Sequence, residues 1–286
     1  MKKIFIVLSV LFSILAVPAN AVDSPTPVVI PTPVVTPTPT PVVASPTPVG
    51  NSKPVVIIDS YFDTRVAKTT IVCIATDKCT NTAKPSTKVS DAVNHGTAMA
   101  EVARRNNPSI PLILLRSATV DKKGNVGILN GNDFLAALRW ADTNSSTISA
   151  VSFSYNLSGN MTKPGDCKLS PTGLVDVKVA DPAIRQTITS LNSKGIPVFV
   201  STGNDSNRKP VSYPACITDT VSVSTFPVGN YDANTDYFGV LPDGKFNYQS
   251  TSFGLIPQTT SSATIAVATQ WQKGLTVTDK IVKVIE

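Results

Sequence analysis

Five short apolar runs, rich in β-branched residues, do most to limit the folds open to this chain. They are Pro54-Val55-Val56-Ile57-Ile58, Pro111-Leu112-Ile113-Leu114-Leu115, residues 148–153, Pro197-Val198-Phe199-Val200 and Thr220-Val221-Ser222-Val223. Runs of this kind suit strands of a parallel sheet covered on both faces. The intervening stretches carry the helical period instead. His95, Met99, Val102 and Ala103 share one face of a helix over 96–106, and Phe134, Leu135, Leu138 and Trp140 mark another over 132–141. A third is expected over 183–194, closed by Gly195 at the C-terminal cap position. Repeated strand-helix-strand units imply an α/β fold: an open, mostly parallel twisted sheet with helices on both faces. Its site belongs at the carboxyl ends of the strands.

Lys2 and Lys3 precede an apolar run over 4–17, and Ala19-Asn20-Ala21 supplies a small-x-small cleavage pattern, so residues 1–21 read as a signal peptide. The run is shorter than the roughly 20 residues that a spanning helix needs, and no later stretch suits one, so no integral membrane domain is expected. Residues 22–53 repeat Pro-Thr-Pro-Val-Val with variations. Such proline density removes amide donors and fixes backbone torsions, which favours an extended stalk or linker over a packed element. Residues 54–286 then suffice for one domain with a full core.

Removal of Lys2 and Lys3 takes the formal charge from +6 to +4, too mild and scattered to suggest nucleic-acid binding. The four cysteines of an exported chain favour disulfides over metal ligands. Three pairings are open; a short loop closure favours Cys73 with Cys79, which leaves Cys167 with Cys216. Nothing in the sequence assigns an oligomeric state.

The chain has one histidine, His95. Chemistry that moves protons near neutral pH has that one imidazole to run through. Asp59 follows the first apolar run directly, at a strand's carboxyl end, and Asp63 is a rival acid four residues on.

Four motifs together resemble the subtilisin-like serine peptidases. Residues 55–63, Val-Val-Ile-Ile-Asp-Ser-Tyr-Phe-Asp, look like that family's aspartate motif, and Asn94-His95-Gly96-Thr97-Ala98-Met99-Ala100 is similar to its histidine motif. Residues 195–205 match the strand and turn that carry its oxyanion-hole asparagine, and residues 259–268 are similar to the segment around its nucleophile. The motifs occur in the family's order of Asp, His, Asn, Ser, and the resemblance covers residues 55–286.

The resemblance implies a subtilisin-like three-layer sandwich and an exported serine endopeptidase, with polypeptides as substrates. Ser261 would be the nucleophile, His95 the base, Asp59 its partner and Asn204 the oxyanion-hole donor, while Ser154 would align with the segment that binds substrate backbone. No cofactor is required; calcium is a structural option in this family, although no ligand set stands out. A serine esterase is disfavoured because no G-x-S-x-G elbow is present.

The chain departs from the family at Thr259, where glycine is usual, and at Ile265, where proline is usual. These departures and a short stretch before Ser261 define the alternative, a catalytically inactive binding or surface protein of the same fold. Ser252 also follows a threonine, but Gly254 and Pro257 would break a helix after it. There is no room between Ala21 and Pro54 for a folded propeptide. Asn144, Asn156, Asn160 and Asn204 begin glycosylation patterns. A glycan on Asn204 would abolish its role, so activity implies a compartment without that modification, such as a bacterial envelope, periplasm or medium.

Overall fold

The computed structural model describes residues 53–63, 69–157, 167, 175–204, 211–225, 229, 237–238, 247–250, 254–257 and 259–270. The expected signal peptide, the stalk up to residue 52, Ser252 and Asn160 lie outside them. All described residues belong to one unit, Val49–Glu286.

In chain order the strands are β1 (Val55–Asp59), β2 (Thr70–Cys73), β3 (Leu112–Arg116), β4 (Ala150–Phe153), β5 (Val198–Ser201), β6 (Val221–Ser224), β7 (Tyr237–Phe238), β8 (Asn247–Ser250) and β9 (Gly254–Pro257). The first seven form one parallel sheet, ordered β2-β3-β1-β4-β5-β6-β7. β8 and β9 make a separate antiparallel pair. The five expected strands are all present, and the sheet is open and parallel as expected.

β1 lies between β3 and β4 in register Val55↔Leu112 and Val55↔Ala150, buried along its whole length. Its side chains alternate between two cores. Val56 and Ile58 pack with residues of α2 (Gly131–Thr143) and α3 (Val175–Ser193), whereas Val55 and Ile57 pack with α1 (Ala92–Asn106) and α4 (Thr260–Gln270). Each such fully buried side chain contributes about 1.5–3 kcal/mol, so the continuous apolar run follows from having a helical layer on each face. β2 escaped the sequence reading because it is an edge strand: Thr70 and Cys73 are exposed, and only Ile71 and Val72 are partly covered.

Two helices start earlier than their sequence patterns suggest. α1 begins at Ala92, with the Asn94 and His95 amides both donating to the Asp91 carbonyl, so His95 sits inside the first turn. α3 begins at Val175 and runs through Pro182, which we expected to lie outside the helix. Proline forfeits one helical hydrogen bond, but Val177, Ala180, Ile184, Ile188 and Leu191 bury one continuous stripe around it. Gly195 ends that helix as expected, at φ 74°, with its amide donating to Asn192 and that of Ile196 to Leu191.

Both expected disulfides are present, Cys73–Cys79 and Cys167–Cys216, with Cα separations of 5.9 and 5.2 Å. Among the described residues, no helix is long and apolar enough to cross a membrane.

Candidate active site

Asp59 ends β1, at the carboxyl edge of the sheet, and is fully buried. Its Oδ2 lies 2.8 Å from His95 Nδ1. Its Oδ1 accepts from the Ser60 amide at 2.7 Å, with the Ser60 hydroxyl 3.1 Å away. An ionised carboxylate can only accept, so the bond to Oδ2 assigns the proton to Nδ1 and leaves Nε2 as the basic nitrogen. Gly96 makes the approach possible: a Cβ there would stand 2.9 Å from the Asp59 Cβ. The rival Asp63 is held through its backbone, its amide donating to Thr97 Oγ1 at 2.8 Å. Asp59, not Asp63, is the acid paired with the histidine.

The His95 side chain is 17 % exposed. Burial disfavours its charged form, but the Asp59 charge and hydrogen bond outweigh that and raise its pKa above the ordinary histidine value.

Ser261 is the second residue of α4 and 6 % exposed. Its hydroxyl donates to the Ser154 carbonyl at 3.2 Å, while the Ser154 hydroxyl donates to the Ser261 carbonyl at 3.3 Å. Asn204 follows β5 and is exposed; its Oδ1 accepts from both the amide and the hydroxyl of Thr260, each at 2.9 Å. Because an amide N–H can only donate, these bonds to Oδ1 orient the side chain and do not engage its Nδ2 hydrogens.

The start of α4 shows how Thr259 replaces a glycine. Among the described residues, positive φ at non-glycine positions occurs only at Lys78 and Cys79, so Thr259 needs no left-handed backbone. Its amide donates to Ser262 Oγ at 2.8 Å, and its carbonyl accepts from the Ala263 amide at 3.0 Å. Thr260 is engaged with Asn204, which leaves the Ser261 N–H as the first-turn amide without a partner among the described residues. Ile265 is fully buried beside Ala263, Ala266 and Ala268, so it serves as packing where proline is usual.

Tyr155 borders the histidine, and the sequence reading passed it over. Its ring meets His95 edge-on, with centroids 6.0 Å apart and planes at 86°. The signal was positional: Phe153 pairs with Ile58, so the residues after β4 run beside Asp59 and Ser60. Thr260, which orients Asn204, was missed for a different reason, because only contact across 56 positions reveals it.

Among the described residues, one group of ligand-type side chains, Cys73, Asp77 and Cys79, converges outside this site. The two sulfurs are bonded to each other, and Asp77 already accepts from Arg116, Val120 and Cys79. These atoms are engaged in structure rather than free to bind a metal.

Residues 55–269 match the model of the subtilase family. The chain belongs to that family. As a subtilase it is a serine-type endopeptidase, with polypeptides as its substrates. A lanthipeptide protease shares its fold at a TM-score of 0.53 and 17 % identity, over 76 % of this subtilase and 71 % of that chain. The nisin leader peptidase NisP from Lactococcus lactis does so at a TM-score of 0.52 and 15 % identity, over 76 % and 75 % of the two chains. No curated protein matches this subtilase by sequence.

Proposed function

We propose that this subtilase is an exported endopeptidase that cleaves through an Asp59–His95–Ser261 triad and an acyl-enzyme. The 2.8 Å contact between Asp59 Oδ2 and His95 Nδ1 carries the reading, because it gives the chain's one imidazole an unprotonated Nε2. Ser261 rotates from the Ser154 carbonyl toward Nε2 and attacks the substrate carbonyl carbon as His95 takes its proton. The imidazolium, stabilised by Asp59, then gives that proton to the leaving amine. Water repeats the sequence in reverse to release the acid. The Asn204 amide and the Ser261 N–H receive the negative oxygen, at the positive end of α4. Ser154, buried against Ser261, offers its backbone to the extended substrate. This chemistry uses only the protein's own groups and needs no cofactor. The two disulfides are compatible with the oxidising compartment that the signal-like first residues imply.

Fluorophosphonate labelling of wild type, Ser261→Ala, Ser252→Ala and His95→Ala tests the assignment. Label should be lost in Ser261→Ala and His95→Ala and kept in Ser252→Ala. Loss only in Ser252→Ala would move the nucleophile, and absence of label in wild type would favour the inactive alternative.

A further inference from the structure

Tyr155 has none of the roles assigned above, yet it lies against the surroundings of both Asp59 and His95. Phe134 and Phe153 stack with centroids 4.0 Å apart and planes at 26°, Phe153 meets Tyr155 at 6.5 Å and 36°, and Tyr155 meets His95 at 6.0 Å and 86°. Four rings thus run from the buried core between the sheet and α2–α3 to the catalytic imidazole. Phe134 and Phe153 are fully buried, so the far end of the ladder is rigid. Edge-to-face contact in this distance range adds about 0.5–1.5 kcal/mol beyond burial, enough to favour one ring orientation over another.

The hydroxyl end of Tyr155 carries no charge. Ser60 holds Asp59 Oδ1 through its amide at 2.7 Å, while its hydroxyl donates to the Ala92 carbonyl at 2.8 Å. Burial, and then the Asp59 charge, push the phenol pKa up, so the hydroxyl stays protonated and neutral.

We propose that Tyr155 is a positioning residue for the Asp59–His95 pair: its ring braces the imidazole and keeps water from the Nδ1–H bond. A hydrogen bond is stronger where water is excluded, and His95 sits in the first turn of α1, where helix-end fraying would otherwise loosen it. The proposal rests on the triad reading, but its readout does not.

Because His95 is the only histidine, NMR of the imidazole in the whole protein has a single source. In wild type, the downfield Nδ1–H signal should be present and slow to exchange with solvent. Tyr155→Phe, which keeps the ring, should retain it. Tyr155→Ala should speed its exchange and lower kcat on the order of 10- to 100-fold with little change in KM. Tyr155→Leu, of closer volume, should do the same and serves if the alanine variant fails to fold. A slow-exchanging signal and unchanged kcat in a folded Tyr155→Leu would overturn the proposal, as would a rise in KM alone, which would make Tyr155 a substrate-pocket wall. If wild type takes no fluorophosphonate label, the triad reading fails while the exchange comparison still decides whether Tyr155 shields the pair.

Discussion

A Cβ on Gly96 would stand 2.5 Å from the Tyr61 carbonyl oxygen and 2.9 Å from the Asp59 Cβ. The helix that carries His95 therefore rests directly on the turn after β1, and the absence of a side chain sets the reach between base and acid. Alanine would gain about 1 kcal/mol in helix propensity, but overpacking against backbone costs about 1–3 kcal/mol, so the clash wins. Gly96→Ala should lower the urea midpoint and reduce kcat/KM more than it reduces stability, as paired denaturation and peptide-cleavage assays would show.

The raised His95 pKa fixes the sign of two pH effects. A base must be neutral to act, so kcat/KM should rise with pH through a value above the ordinary 6.5 or so. With Asp59→Ala only the burial effect is left, and the imidazole titration followed by NMR should fall below wild type. For stability the direction is opposite. The pairing of imidazolium with Asp59 stabilises the fold fully below about pH 6.5 and ceases to do so as pH rises through the raised folded-state value.

Thr259 caps α4, its Oγ1 accepting from the Ser262 amide at 3.4 Å, which predicts an order among its variants. Loss of an N-cap side chain to alanine costs about 0.5–2 kcal/mol, whereas glycine costs only a few tenths. Thr259→Ala should thus melt lower than Thr259→Gly, and Ser262→Ala should weaken the same turn through loss of the bond to the Thr259 amide. Equal melting temperatures for all three and wild type would show that the cap contributes nothing.

On the oxyanion-hole role proposed for it, Asn204→Ala should spare KM and reduce kcat on the order of 10²–10³-fold, the magnitude that belongs to the oxyanion asparagine of subtilisin itself. Thr260→Val should reproduce part of the loss, because it removes one of the two bonds that orient the Asn204 amide.

The two disulfides close loops of different length, with separations of 49 and 6 residues. Chain entropy makes the longer closure worth about 4 kcal/mol and the shorter about 2. Cys167→Ser/Cys216→Ser should therefore lower the urea midpoint more than Cys73→Ser/Cys79→Ser does.

Much of this protein was determined by local sequence. The five apolar runs specified a doubly covered parallel sheet because a strand buried on both faces has no room for alternation, and Gly195 marked a helix end because few residues adopt its torsions. Asp59, His95, Asn204 and Ser261 could be named as candidates because each lies near a strand end or helix start within a recognisable motif. What the tertiary structure decided was orientation and contact. The choice of Asp59 over Asp63 as partner for His95 depends on how closely α1 can approach β1. Thr259 looked like a defect, and becomes a helix cap only when its Oγ1 is seen to accept the Ser262 amide. Thr260 against Asn204, and Tyr155 against His95, pair residues far apart in the chain. Such contacts leave no periodicity behind, since they are set by the packing of whole elements rather than by the preferences of any one segment.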